Sequence, residues 1–233
     1  MGTFILGLVC WLLLWLAWRV VRWMLGPFLR WYARPRQRRQ YVLPAHWNWT
    51  LALADPMAFA QIQGGFADAR MPSLRSELQS SLRPALLHQL GLRADMIDAQ
   101  IQDALPRRLR AHWFRLDLDT LHKDDDARDA LALACARVAF AVRTAALLGW
   151  IDADTQWELL HHNALRASEC FDSWSDYGHA LARGRQQWIA KGRADSLGCA
   201  FTPADVNAWL ANRDHPWHWL PWPLPTPPER PQR

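Results

Sequence analysis

The sequence predicts an all-α protein: a single N-terminal transmembrane helix, a compact multi-helix domain behind it, and an extended Pro/Trp-rich C-terminal strap. Three observations carry that reading. From Phe4 to Leu25 the chain is almost wholly apolar, which is the length of one spanning helix. From Gly149 to Lys191, capping residues and apolar residues at i, i+3, i+4, i+7 spacing write a helical hairpin. From His215 onward, prolines are too frequent for regular structure, while the tryptophans among them are too many to leave in water. The boundaries that follow are 1–27 for the anchor, 28–45 for a basic linker, 46–214 for the helical domain and 215–233 for the strap.

Arg19 and Arg22 interrupt the apolar run only near its end, where long side chains reach the interface. No charge precedes the run, and bulky Trp and Arg follow it, so it reads as an uncleaved anchor rather than a signal peptide. Arg30, Arg34, Arg36, Arg38 and Arg39 come next, and the positive-inside rule places the body on the cytoplasmic side. These arginines, beside Trp31 and Tyr32, are also candidate lipid-facing residues, each worth ~1 kcal/mol against an anionic surface. Orientation alone accounts for the same excess.

The formal net charge of +5 does not point to nucleic acid once it is placed along the chain. Residues 1–40 hold seven Arg and no acid, and 27 minus 7 leaves 20 basic residues against 22 acidic in the remainder, a net of −2. A nucleic-acid-binding body needs a clustered positive face. Cysteines at 10, 135, 170 and 199 form no Cys-x-x-Cys pair, so neither a disulfide framework nor a zinc site is expected, and no cofactor is implied. Five of the 16 tryptophans lie in the first 31 residues, where an interfacial aromatic belt places them.

Taken in order, Trp47, Trp49, Leu51 and Leu53 alternate, which suggests a short strand or an extended packing segment. Gly64-Gly65 reads as a turn; no strand, Lys or Ser/Thr beside it makes a phosphate loop. A helix is expected from Pro72-Ser73 to about Gln89, bent at Pro84 and stopped by Gly91. Another runs from Ala94 to Leu105 and ends before Pro106. The basic segment Arg107 to Arg115 carries two aromatics that could stack on bases, but nearby aspartates mark it as neutralised surface. Asp124 to Asp126 lack the spacing of a calcium loop and sit where acids cap a helix, here one from about Ala127 to Leu148. That helix is the expected centre of the core, with Arg137 and Arg143 requiring carboxylate partners or an exit to solvent.

In the hairpin, Asp152 caps a first helix whose stripe is Trp157, Leu160, His161, Ala164, Ser168 and Phe171. Glu158-x-x-His161 resembles half of a di-iron site, but the chain has no second copy, so His161 reads as a hydrogen-bonded core histidine and His162 as outward. Ser173 or Ser175 opens the second helix, where Trp174, Leu181 and Trp188 recur every seven residues beside Gly178 and Gly184, allowing a neighbour to approach closely. Arg185 can grip a carboxylate with both prongs, and Asp172, Asp176 or an acid of the central helix is the expected internal partner. Thr202-Pro203-Ala204-Asp205 starts a last helix, ending near Asn212.

Gly149-Trp150-Ile151, Trp157, Phe171-x-Ser173-Trp174, Tyr177, Gly184-Arg185-x-x-Trp188, Pro216-Trp217 and Pro221-Trp222 together resemble the pattern of a bacterial family known as domain of unknown function 1266. That family usually carries a Trp-Asp pair ahead of the Gly-Trp-Ile element; this chain has Ala-Cys-Ala-Arg around Cys135 and Arg137 instead. The resemblance implies a bacterial helical protein and supplies no catalytic residues.

The leading functional expectation is a non-enzymatic protein-interaction module on the cytoplasmic face of a bacterial inner membrane, with toxin immunity as one form. Candidate ligand- or partner-binding residues are Arg137, His161, Trp174, Tyr177, Arg185 and Trp188. No metal site is expected. The rival is a hydrolase or other small-molecule enzyme whose Arg137, Glu158, His161, Asp172, Tyr177 and Arg185 converge in three dimensions.

Overall fold

The computed structural model describes residues 44–62, 65–66, 73–112, 118, 121–193 and 200–226. The expected anchor and the expected basic linker up to residue 43, with Arg30, Arg34, Arg36, Arg38 and Arg39, lie outside the described residues, while Ala45 at the linker's end already begins a helix. Among the described residues there are nine helices and no strand.

The centre is α5, Ala127–Leu147. Asp126 starts it, its side chain accepting from the backbone N–H groups of Arg128 and Asp129 at 2.9 Å each, which satisfies donors that no helical carbonyl can reach. The helix is long and apolar enough to cross a membrane, but 89% of its apolar window is buried inside the protein, so it is the core helix here. Its many alanines leave room for neighbours on every side.

Two helices pack on it: α6, Ala153–Cys170, and α7, Trp174–Ala190. Asp152 accepts from the N–H of Thr155 at 2.7 Å and Ser173 from that of Asp176 at 3.0 Å, the caps expected at both starts. At Gly184 an added Cβ would stand 2.1 Å from the carbonyl oxygen of Asp129, so only glycine lets α7 lie this close to α5. The buried seam of α6 is Thr155, Gln156, Leu159, Leu160, Asn163, Ala164 and Ala167. It is rotated from the expected stripe, leaving Trp157, His161 and Ser168 at its margin. Apolar counting missed the rotation because polar residues sit inside the seam: Asn163 Nδ2 donates to the Cys135 carbonyl at 2.9 Å, and Gln156 Oε1 accepts from Arg143 at 3.0 Å.

The segment expected as strand is a helix, α1, Ala45–Ala52. Its residues from Asn48 to Ala52 are all buried, so no polar face marks a helical period, and the Trp/Leu alternation says nothing about the backbone. Helix α2, Asp55–Gln61, follows with Pro56 in its first turn, and Gly65 turns the chain at φ 59°.

Helix α3, Ser76–Gln89, contains Pro84 and is followed by Gly91 at φ 64°. Helix α4, Asp98–His112, runs through Pro106, where an end was expected. The proline forfeits one backbone bond, but Ile101, Leu105 and Leu109 are buried on one face across it, and that burial outweighs a single lost bond. The basic segment thereby continues the helix as far as His112. Arg107 pairs with Asp103 at 2.9 Å and Arg110 with Glu158 at 3.2 Å, so these two charges are matched at the surface.

Helix α8, Pro203–Ala211, starts with the capping box of Thr202 and Asp205. The strap then returns across the domain. It is not wholly extended: Pro216–Trp219 forms one helical turn, α9, with proline at its start, where a missing N–H costs nothing, and His215 as its cap. Gly178 of α7 admits the strap, since an added Cβ would lie 2.7 Å from Trp217 and 2.9 Å from Val206.

Candidate functional site

Two histidines from separate elements meet where α1, α6 and the end of the strap come together. His46, 1% exposed, is bonded through Nδ1 to the carbonyl of Pro225 at 2.7 Å. Its Nε2 lies 3.2 Å from Nδ1 of His161, which is half-buried on α6. The neighbouring Trp47 meets His46 edge-on, with centroids 4.6 Å apart, and rests on Trp157 at 4.5 Å with its plane tilted 37°. Burial pulls both imidazoles below their ordinary value of 6.5; the Pro225 carbonyl opposes this at His46, while His46 and His162 add to it at His161. The pair is therefore neutral at pH 7. Glu158, one turn before His161, is engaged by Arg110, and among the described residues no three His, Cys, Asp or Glu side chains gather as a metal cage. The arrangement can accept and donate hydrogen bonds; it has no nucleophile or charged electrophile-binding group beside it in the described contacts.

The other candidate residues fall elsewhere. Arg137 is buried, with its guanidinium 4.7 Å from the centre of the Trp188 ring, and Arg193 stands 4.9 Å from the same ring. The candidates Arg137 and Trp188 are thus brought together by stacking. Arg185 is half-buried one turn away, and two of the acids expected to hold it, Asp176 and Asp129 of the central helix, hold other arginines. Asp176 takes Arg128 with both oxygens, and Asp129 takes Arg183 at 2.7 and 2.8 Å.

Trp174 and Tyr177 also come together, inside an aromatic core. Trp174 donates to the Leu220 carbonyl at 3.0 Å and stacks on Trp217 at 5.4 Å. The Tyr177 hydroxyl, completely buried, donates to the Leu53 carbonyl at 2.9 Å. Burial pushes that hydroxyl well above its ordinary range, so it serves as a fixed donor.

Sequence reasoning missed His46, Asp55 and the chemistry of His215. Asp55 and His215 are buried with Oδ2 and Nε2 3.9 Å apart, and His215 stacks on Trp209 at 4.3 Å. Burial drives Asp55 well above the usual carboxylate range and His215 down to about 3, so His215 is neutral at pH 7. His215 Nδ1 accepts the N–H of Trp217 at 3.2 Å, which fixes the ring hydrogen on Nε2, toward Asp55. Neither nitrogen is available as a base. Each of these residues is isolated in the sequence, and no spacing signals that tertiary packing will join them.

A domain that is all-helical among the described residues and closed by an aromatic strap, with several of its charged groups paired internally, is the class that fold and site define. Within that class, the chain belongs to the family described as protein of unknown function (DUF1266), which matches residues 59–222. No curated protein and no solved structure matches the chain. The family match begins at Phe59 and so also takes in α3 and α4, beyond the residues that carried the resemblance. His46, Asp55 and Pro225 lie outside it.

Proposed function

We propose that the protein is a membrane-tethered, non-enzymatic interaction domain on the cytoplasmic face of a bacterial inner membrane, with toxin immunity as one form such a module takes. The anchor is proposed from the apolar run Phe4 to Leu25 and the arginines after it. The observation that carries the non-enzymatic part is how the polar groups are used. Tyr177 is bonded to a backbone carbonyl, Arg137 lies against Trp188, Glu158 against Arg110, and the backbone N–H of Asp172 donates to Asp176. Each is engaged with its own neighbour instead of converging with the others on one reactive centre.

The test is a crosslinking pull-down of the full-length protein from native membranes, with a chain lacking residues 1–40 run beside it. The reading expects one stoichiometric protein partner captured by both chains, and only the full-length chain in the carbonate-washed membrane fraction. A folded preparation that captures no partner overturns the interaction reading; full-length protein in the soluble fraction overturns the tether.

A further inference from the structure

A carbonyl oxygen has no hydrogen to give, so the bond between His46 and Pro225 places a hydrogen on His46 Nδ1. Neutral imidazole carries one N–H, which leaves His46 Nε2 as a lone pair. That lone pair faces His161 Nδ1 at 3.2 Å, and the hydrogen between them must therefore come from His161. The same count leaves Nε2 of His161 as a lone pair. It has no protein partner among the described residues, and the ring carrying it is half-exposed.

We propose that His161 Nε2 is a surface hydrogen-bond acceptor for an N–H or O–H group of a bound partner, and that one proton taken up by the His46–His161 pair turns it into a donor. Every interior bond survives that change. The proton enters at His161 Nε2, while Nδ1–H of His161 still points at His46 and Nδ1–H of His46 still points at Pro225. A second proton would set N–H against N–H across 3.2 Å, so the pair takes up two protons in well-separated steps. Among the described residues the groups facing it are few: on α6, His162 opposes protonation of His161; Glu158, one turn back, is held by Arg110 of α4; and from the strap the Pro225 carbonyl accepts from His46. Both rings are lowered from 6.5, so the acceptor form prevails at neutral pH and the donor form appears only below that value. The Trp47–Trp157 pair beside the nitrogen adds an aromatic surface of the kind enriched at binding hot spots.

The identity of the partner rests on the interaction-domain reading; the placement of the hydrogens does not. The test is imidazole nitrogen NMR on the full-length, histidine-labelled protein in bilayer nanodiscs, from about pH 8 to about pH 4. At the alkaline end His46 and His161 should both show the Nδ1–H tautomer, and on acidification they should share a single proton uptake below pH 6.5. His161→Gln, at a half-exposed position, should leave the His46 tautomer in place and abolish the shared step. His161 carrying its hydrogen on Nε2 at the alkaline end, or two independent titrations, would overturn the proposal. His161→Phe should also weaken capture of the partner at least tenfold. If a partner is captured and His161→Phe binds it unchanged, the acceptor role is wrong while the interaction reading stands.

Discussion

Where α7 meets α5, the helices are joined by close backbone approach at Gly184 and by arginine–carboxylate pairs such as Arg183–Asp129. Where the strap crosses α1 and α7, indole N–H groups donate to backbone carbonyls. Trp49 donates to Trp222 at 2.9 Å, Trp174 to Leu220 at 3.0 Å, Trp217 to Ala52 at 2.9 Å and Trp222 to Phe171. The two seams differ in what they ask of the sequence. Ion pairs and a required glycine use particular residues on both sides, whereas a carbonyl is supplied by any residue. Proline, which has no N–H to contribute, still contributes a carbonyl, as Pro221 does to Trp49 at 3.1 Å and Pro225 to His46. A proline-rich strap can thus be fastened by the tryptophans and histidines around it.

The largest effect that would sharpen this contrast is at Gly184. Gly184→Ala drives a methyl into a backbone oxygen that no rotamer change can move, and should cost about 3 kcal/mol or more in denaturant unfolding. Next comes the strap: Trp222→Ala should cost roughly 3–5 kcal/mol, and Trp222→Phe, which keeps most of the volume but strands the Phe171 carbonyl, about 1–2 kcal/mol. If Trp222→Phe is silent, the indole bonds are incidental and packing alone fastens the strap.

Asp55→Asn should act in the opposite direction. The native state keeps the carboxyl proton that the unfolded chain releases above about pH 3.8, so Asp55 subtracts stability as pH rises from there through its raised native value. The amide has no such proton to lose, so the variant should gain on the parent as pH rises toward 7 and lose that margin in strong acid. Unfolding curves across pH check the sign. The smallest effect is at Asp129→Asn: its partner Arg183 has a side chain 52% exposed, so the loss should be about 1 kcal/mol or less and shrink with added salt.

Much of the helical frame was legible for a local reason. Asp126, Asp152, Ser173 and Thr202 are short polar side chains directly ahead of apolar periods, and a cap acts within three residues of itself. The heptad Trp174, Leu181, Trp188 is buried as expected. What was not legible depends on neighbours distant in sequence. Helix α1 shows no periodicity because other elements cover most of it, and α4 passes Pro106 because its buried face continues on the other side. At the candidate site, His161 was found through its helix, but His46 is 115 residues from His161 and 179 from Pro225. No local pattern joins them.

The most direct test of the strap as part of the fold, rather than a loose binding tail, is native-state hydrogen exchange of the tryptophan indole N–H groups in the full-length protein. Trp49, Trp174, Trp217 and Trp222 should exchange only through the same global opening that exposes the backbone amides of α7. Indoles that exchange through a separate, much cheaper opening while α7 stays protected would contradict it.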